Sequence, residues 1–175
     1  MVTTWTKYQG YSDYIGKDLT LAREVWVTTA PELENFCQDL EYTQEDTIFR
    51  LEQVLGLPPQ NGKTLFVKMW VSPDDLFRPC PDPEINDSEC EITYPESAYS
   101  VVGEDYKIWF EHQQSISYGV DGYLWTRLGY TYDWGGTTSG IGLSEFVIKP
   151  GATVEIEEIS STQMFITSHC GSAAR

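Results

Sequence analysis

The sequence predicts an α+β fold, a mainly antiparallel sheet or split β-barrel with two helices in the N-terminal half. Three observations lead there. Helical spacing of apolar residues is confined to residues 31–56, alternating runs rich in β-branched and aromatic residues recur through the rest, and the helices precede most strands instead of alternating with them. The chain has 175 residues, 41% of them hydrophobic, which suffices for one packed core, so residues 1–175 are read as a single domain.

The polar, aromatic start with Gly10 and Gly16 reads as an irregular lead-in. Leu19 to Thr29 (LTLAREVWVTT) alternates and reads as one strand, with Leu19, Leu21, Val25, Val27 and also Arg23 on one face. A cation on an apolar face needs an ion pair or a ligand-lined cleft. Pro31 opens a first helix, PELENFCQDLEY, with Leu33, Phe36, Cys37 and Leu40 at helical spacing. Thr43 caps a second, whose stripe is Ile48, Leu51, Val54 and Leu55; Gly56 ends it and Pro58-Pro59 forbids continuation.

Thr64 to Val71 (TLFVKMWV) is a strand, and residues 72–92 form an acidic, proline-rich loop read as solvated. Short strands are expected in Glu91–Ser100 and from Lys107. Ile108 to Tyr118 (IWFEHQQSISY) is read as extended, which sets Ser115 and Ser117 on one side. The aromatic strand YLWTRLGYTYDW follows, then the glycine-rich loop WGGTTSGIG, then two strands joined at Pro150-Gly151, with Glu145 where the loop re-enters a strand. A loop of that length and composition often carries function. Met164–Thr167 is the last expected strand, before a frayed tail.

The net charge is −16 with scattered Lys and Arg, which turns the chain away from nucleic acid and anionic membrane surfaces. No apolar run reaches the roughly 18 residues a spanning helix needs, so no membrane insertion is expected. A small molecule or a protein is left as partner. Four cysteines are compatible with two disulfides. Cys80 and Cys90 flank a segment with little to bury, and their pairing would leave Cys37 with Cys170; four cysteines allow three pairings. This reading places the chain in a secreted or periplasmic compartment, four reduced thiols in a cytoplasmic chain being the alternative. The chain has no C-x-x-C, and neither His112 nor His169 stands at ligand spacing from a cysteine, so no metal site is expected. Asn86-Asp87-Ser88 is a glycosylation sequon if the source is eukaryotic.

Three separated pieces, Arg23, Ser115-Ile116-Ser117 and SEFVIKPGATVEI around Glu145, resemble the mono-ADP-ribosyltransferase signature: an arginine on the first core strand, a Ser-x-Ser strand, and a loop leading to a catalytic glutamate. The resemblance implies NAD as substrate and no other cofactor. It implies that Arg23 contacts the dinucleotide phosphates, that Ser115 holds the site's geometry, and that Glu145 stabilises developing oxocarbenium charge. Ser117, Tyr132 and Trp134 join Arg23 as expected contacts to the dinucleotide. Leu143 stands where the family often has Glu or Gln, which turns the expectation from transfer onto a protein toward NAD hydrolysis or another acceptor. The competing reading is a non-enzymatic secreted or periplasmic binding or inhibitor module. It would present an acidic surface or the aromatics Trp125, Tyr130, Tyr132 and Trp134.

Overall fold

A computed structural model describes residues 1–40, 43–103, 105–120, 122–136 and 139–171, with Gln44 described by its main chain only. The end of the expected first helix at 41–42, part of the glycine-rich loop at 137–138 and the tail from 172 lie outside the described residues.

Among the described residues the chain forms nine strands and five α-helices. The strands are β1 (Val2–Thr6), β2 (Asp18–Thr20), β3 (Val25–Thr29), β4 (Leu65–Trp70), β5 (Leu76–Phe77), β6 (Tyr130–Tyr132), β7 (Ile141–Ser144), β8 (Phe146–Ile148) and β9 (Thr153–Ser161). The helices are α1 (Ala30–Gln38), α2 (Gln44–Val54), α3 (Ala98–Val102), α4 (Tyr106–Ser117) and α5 (Thr162–His169). Seven strands make one antiparallel sheet in the order β2-β9-β4-β1-β3-β8-β5, and β6 with β7 forms a separate ribbon. The expected α+β class and antiparallel sheet are what the chain builds, and the sheet does not close into a barrel.

The sheet must curl. Residues 149–152 join β8 to β9, although β3, β1 and β4 lie between them. In a flat sheet those four interstrand gaps would span roughly 19 Å, the reach of so short a link only when fully extended. This link turns instead: Gly151 has φ +84°, and Ala152 N–H donates to Lys149 O at 3.2 Å. Leu21 locks the turn, accepting from Gly151 N–H at 2.8 Å and donating to Ala152 O at 2.9 Å. Inside the curl lie Val2, Val27, Val67, Met69, Ile148, Val154 and Ile156. Alternation puts Phe66 on the outer face, where it stacks between Trp5 (5.1 Å) and Phe165 (4.0 Å) under α1, α2 and α5. Truncating such a ring typically costs about 3–5 kcal/mol. A second outer core, Trp26, Phe77, Tyr106, Phe110, Trp125 and Val147, packs beneath α4.

Several expected elements differ. The stretch 19–29 is two strands, because Leu21 spends its main chain on the turn at 151–152 while β3 pairs with β8. The stretch expected to be extended from Ile108 is helical as far as Ser117, with Tyr118 capping the helix, and the expected strand at 164–167 is helical too. In both, a short run of adjacent apolar residues carries no readable period; Ser161 caps α5 by accepting from Met164 N–H at 3.1 Å. Residues 91–97 hold no strand. The 72–92 segment is not a wholly solvated loop: Arg78, Cys80 and Asp82 are buried, and the Tyr106 hydroxyl donates to Cys80 O at 2.7 Å. Burial and the neighbouring Glu91 push the Asp82 carboxyl up to about 6.

Both expected cysteine pairs stand at disulfide distance, Cys37 with Cys170 (Cα–Cα 4.3 Å) and Cys80 with Cys90 (6.4 Å). The first ties the end of α1 to the end of α5 across 133 residues of sequence. Replacing Cys37 and Cys170 together by alanine is expected to lower the free energy of unfolding by about 2–4 kcal/mol, read from urea denaturation of the oxidised protein. An unchanged midpoint would show that this crosslink does not constrain the unfolded chain.

Candidate functional site

β1 and β3 meet only at their ends, Val2 against Thr29 and Thr3 against Thr28. Beyond those pairs each strand follows a different neighbour: Thr4 to Thr6 stay on β4, while Val25 to Val27 turn to β8. The sheet therefore splits between them, and a cavity of about 1140 Å³ occupies the split. It lies just above the roughly 300–1,000 Å³ range of small-molecule sites. Exposed Lys7 and Arg23 stand among its lining residues, and Thr3, Thr28 and Trp125 line its buried part.

Glu145 reaches the cavity because the chain changes sheets at this residue. Ser144 pairs with Tyr130 in the ribbon, and Phe146 pairs with Val27 in the large sheet. Between the two ladders, Glu145 donates its N–H to Gly129 O at 2.9 Å. Phe146 packs toward the inside of the curl and Val147 outside it, so alternation turns Glu145 outward with Val147. Continuing the β3–β8 register by one residue sets Glu145 beside Thr28, itself opposite Thr3. A row of polar side chains thus runs from Glu145 across β3 and β1 to Lys68 of β4, which lies opposite Thr3 and pairs with Glu34 and Glu158.

Thr3 and Thr28 of this row are deeply buried, Glu145 is half-buried with its Oε2 closed from solvent, and all three carry an unsatisfied atom. Thr3, Thr28 and Trp125 are 2%, 4% and 5% exposed. The hydroxyls of Thr3 and Thr28, Trp125 Nε1 and Glu145 Oε2 all lack a hydrogen-bond partner, and all four residues line the one cavity. Buried polar atoms are normally paired, so a cluster of orphans in a cavity marks a place for a polar ligand. Burial pushes the Glu145 carboxyl up to about 8, opposed by the indole of Trp125, which faces it without an aligned hydrogen bond. At neutral pH the carboxyl holds its proton and can donate it.

The glycine-rich loop supports the site from behind. Arg50 of α2 grips both oxygens of Asp133, the Nη1 contact being 2.7 Å. Trp134 Nε1 donates to Leu57 O at 3.0 Å and packs edge-on to Phe49. A Cβ on Gly142 would meet Thr131 Oγ1 and Val54 O, so the ribbon can lie against α2 only with glycine there. Thr131 accepts from Leu143 N–H at 2.8 Å and donates to Val54 O at 2.5 Å, which anchors the strand leading to Glu145.

Arg23, Ser117 and Glu145 all line the cavity. Arg23 lies in the bend between β2 and β3, not on a strand, and Ser117 ends α4. Ser115 is exposed on α4 and is not among the lining residues; two residues apart on a helix, it does not share a side with Ser117. Tyr132, 40% exposed, and Trp134 also stand outside the lining. Of the four aromatics proposed as a platform, Trp125 is core, Tyr130 and Trp134 are half-buried, and Tyr132 is exposed. Sequence reasoning missed Thr3 and Thr28. Their signal is a threonine two residues from a tryptophan on the same strand face, Thr3-x-Trp5 and Trp26-x-Thr28. Among the described residues no three His, Cys, Asp or Glu side chains gather to hold a metal.

The raised carboxyl has a consequence for stability. In the unfolded chain Glu145 gives up its proton near 4.5, in the folded chain only near 8. Between these values the folded state binds more protons, so this contribution is complete at low pH and is lost as pH rises through about 8. Melting of the wild type is expected to drop from about pH 5 to about pH 9 more steeply than that of Glu145→Gln, with the variant relatively more stable at the alkaline end. Parallel melting curves for the two proteins would contradict the burial. Comparison of the chain with protein-family models, with curated proteins and with solved structures finds no match.

Proposed function

We propose that the chain binds a nicotinamide dinucleotide in the cleft between β1 and β3 and cleaves it, Glu145 being the catalytic carboxyl. The observation that carries this reading is the gathering of Arg23, Ser117 and Glu145, remote in sequence, around one cavity. Exposed Arg23 suits the dinucleotide's phosphates. Glu145, with its Oε2 closed from solvent, suits its ribosyl–pyridinium end. A cationic ring beside the carboxyl favours the ionised form, so binding itself would draw off the proton. The C–N bond then breaks with its electron pair leaving on the ring nitrogen, and the carboxylate stabilises the positive charge left on the sugar. Leu143 is buried and offers no second carboxyl beside Glu145, so water is the acceptor and hydrolysis the outcome.

Two cysteine pairs at disulfide distance suit an oxidising, secreted or periplasmic setting for this activity. Incubating the oxidised protein with NAD is expected to release nicotinamide, with Glu145→Gln slower by about 10²–10³-fold and Arg23→Ala raising KM. Folded protein that releases no nicotinamide overturns the reading. NAD binding without release leaves the non-enzymatic binding module.

A further inference from the structure

The deep end of the cleft has a chemistry of its own. Glu145 Oε2 is buried against Trp125, with the hydroxyls of Thr3 and Thr28 alongside. Trp26, also lining the cavity, stands edge-to-face with Trp125 at 5.8 Å and 85°. Exposed Lys7 and Arg23 line the same cavity, and Lys68 of β4, opposite Thr3, is paired with Glu34 and Glu158; the other charged groups on the surrounding elements are engaged elsewhere. Glu32 of α1 accepts from Ser144 N–H (3.0 Å) and the Thr29 hydroxyl (3.2 Å). Glu24, ahead of β3, accepts from Trp109 Nε1 (2.7 Å) and Gln113 Nε2 (3.1 Å) of α4. Arg50 of α2 holds Asp133, Arg78 lies over the Phe146 ring, and Arg127 lies over the Tyr118 ring. Lys63 donates to Trp5 O at 3.0 Å. Among the described residues no cation forms an ion pair with Glu145, whose Oε2 is closed from solvent, and Trp26 and Trp125 wall its end of the cavity.

A lone buried carboxyl is costly as an anion and inexpensive as an acid, until a cation arrives. Indole rings attract cations and accept flat groups on their surfaces. Two hydroxyls, each donor and acceptor, can complete the hydrogen bonding of an N–H-bearing ligand. We infer that the deep end of the cleft is a receptor for a flat, delocalised organic cation, an amidinium or pyridinium class of group, which pairs with Glu145 and lies against Trp26 and Trp125. This deepens the proposed function by naming what enters first, and it rests on the cleft being the ligand site. The net charge of −16 draws such ligands toward the chain.

The probe is benzamidine, a flat cation, against benzamide, its neutral near-isostere, titrated calorimetrically into the wild-type protein. Benzamidine is expected to bind at least about tenfold more tightly than benzamide. Its binding should release close to one proton at pH 7, read from the heats in buffers of different ionisation enthalpy. Its Kd should fall roughly tenfold per unit between pH 6 and 8 and level above, because the binding form must first lose a proton. Glu145→Gln should lose both the preference and the proton release, and Thr28→Val should weaken benzamidine severalfold with proton release intact. Equal binding of the two probes, or cation binding without proton release in the wild type, overturns the inference without recourse to any variant. NAD cleavage with no benzamidine binding removes this inference alone; benzamidine binding with no NAD cleavage removes the proposed hydrolysis alone.

Discussion

Four residues, Lys149 to Ala152, oblige the sheet to curl. They bring β8 and β9 together although three strands lie between them, and Leu21 holds the junction with two main-chain hydrogen bonds. A strongly curled antiparallel sheet has to relieve its twist somewhere, and here the ladder between β1 and β3 opens after two residue pairs. The cavity is that opening. It exists because each strand has a better partner on its other side, β4 for β1 and β8 for β3.

The same constraint explains why a carboxyl is buried there. Glu145 belongs to neither ladder, since the chain leaves the β6–β7 ribbon and joins the large sheet on either side of it. Its side chain is aimed by alternation from Val147, and its main chain is held by Gly129. The grip of Arg50 on Asp133 fixes the ribbon against α2, so the carboxyl is presented from a rigid support and not from a mobile tip. Among 27 acidic residues, burial pushes the carboxyls of Glu145 and Asp82 up, to about 8 and about 6.

Much of this architecture was legible in the sequence wherever a local rule had one answer. Thr43 caps α2 and accepts from Asp46 N–H, Gly56 takes a positive φ just beyond the helix, and β9 alternates from Thr153 to Glu157. The cysteine pairs at disulfide distance are one of the three pairings four cysteines allow, the one that clips the segment with little to bury. The helices α4 and α5 were not legible, because IWF and MFI are adjacent apolar residues that either period accommodates. At the site, Arg23, Ser117 and Glu145 stood out by residue type. Thr3 and Thr28 did not, since a threonine on a strand announces nothing until the strand's far side proves to be dry.

The place of β9 in the sheet bears on how the molecule is made. This strand, the longest, is inserted between β2 and β4 although it is among the last segments of the chain. Until residue 161 has left the ribosome, one edge of β4 has no mate. Assembly therefore joins segments that are distant in sequence. A nascent chain of this kind must be kept from docking that bare edge onto its neighbours.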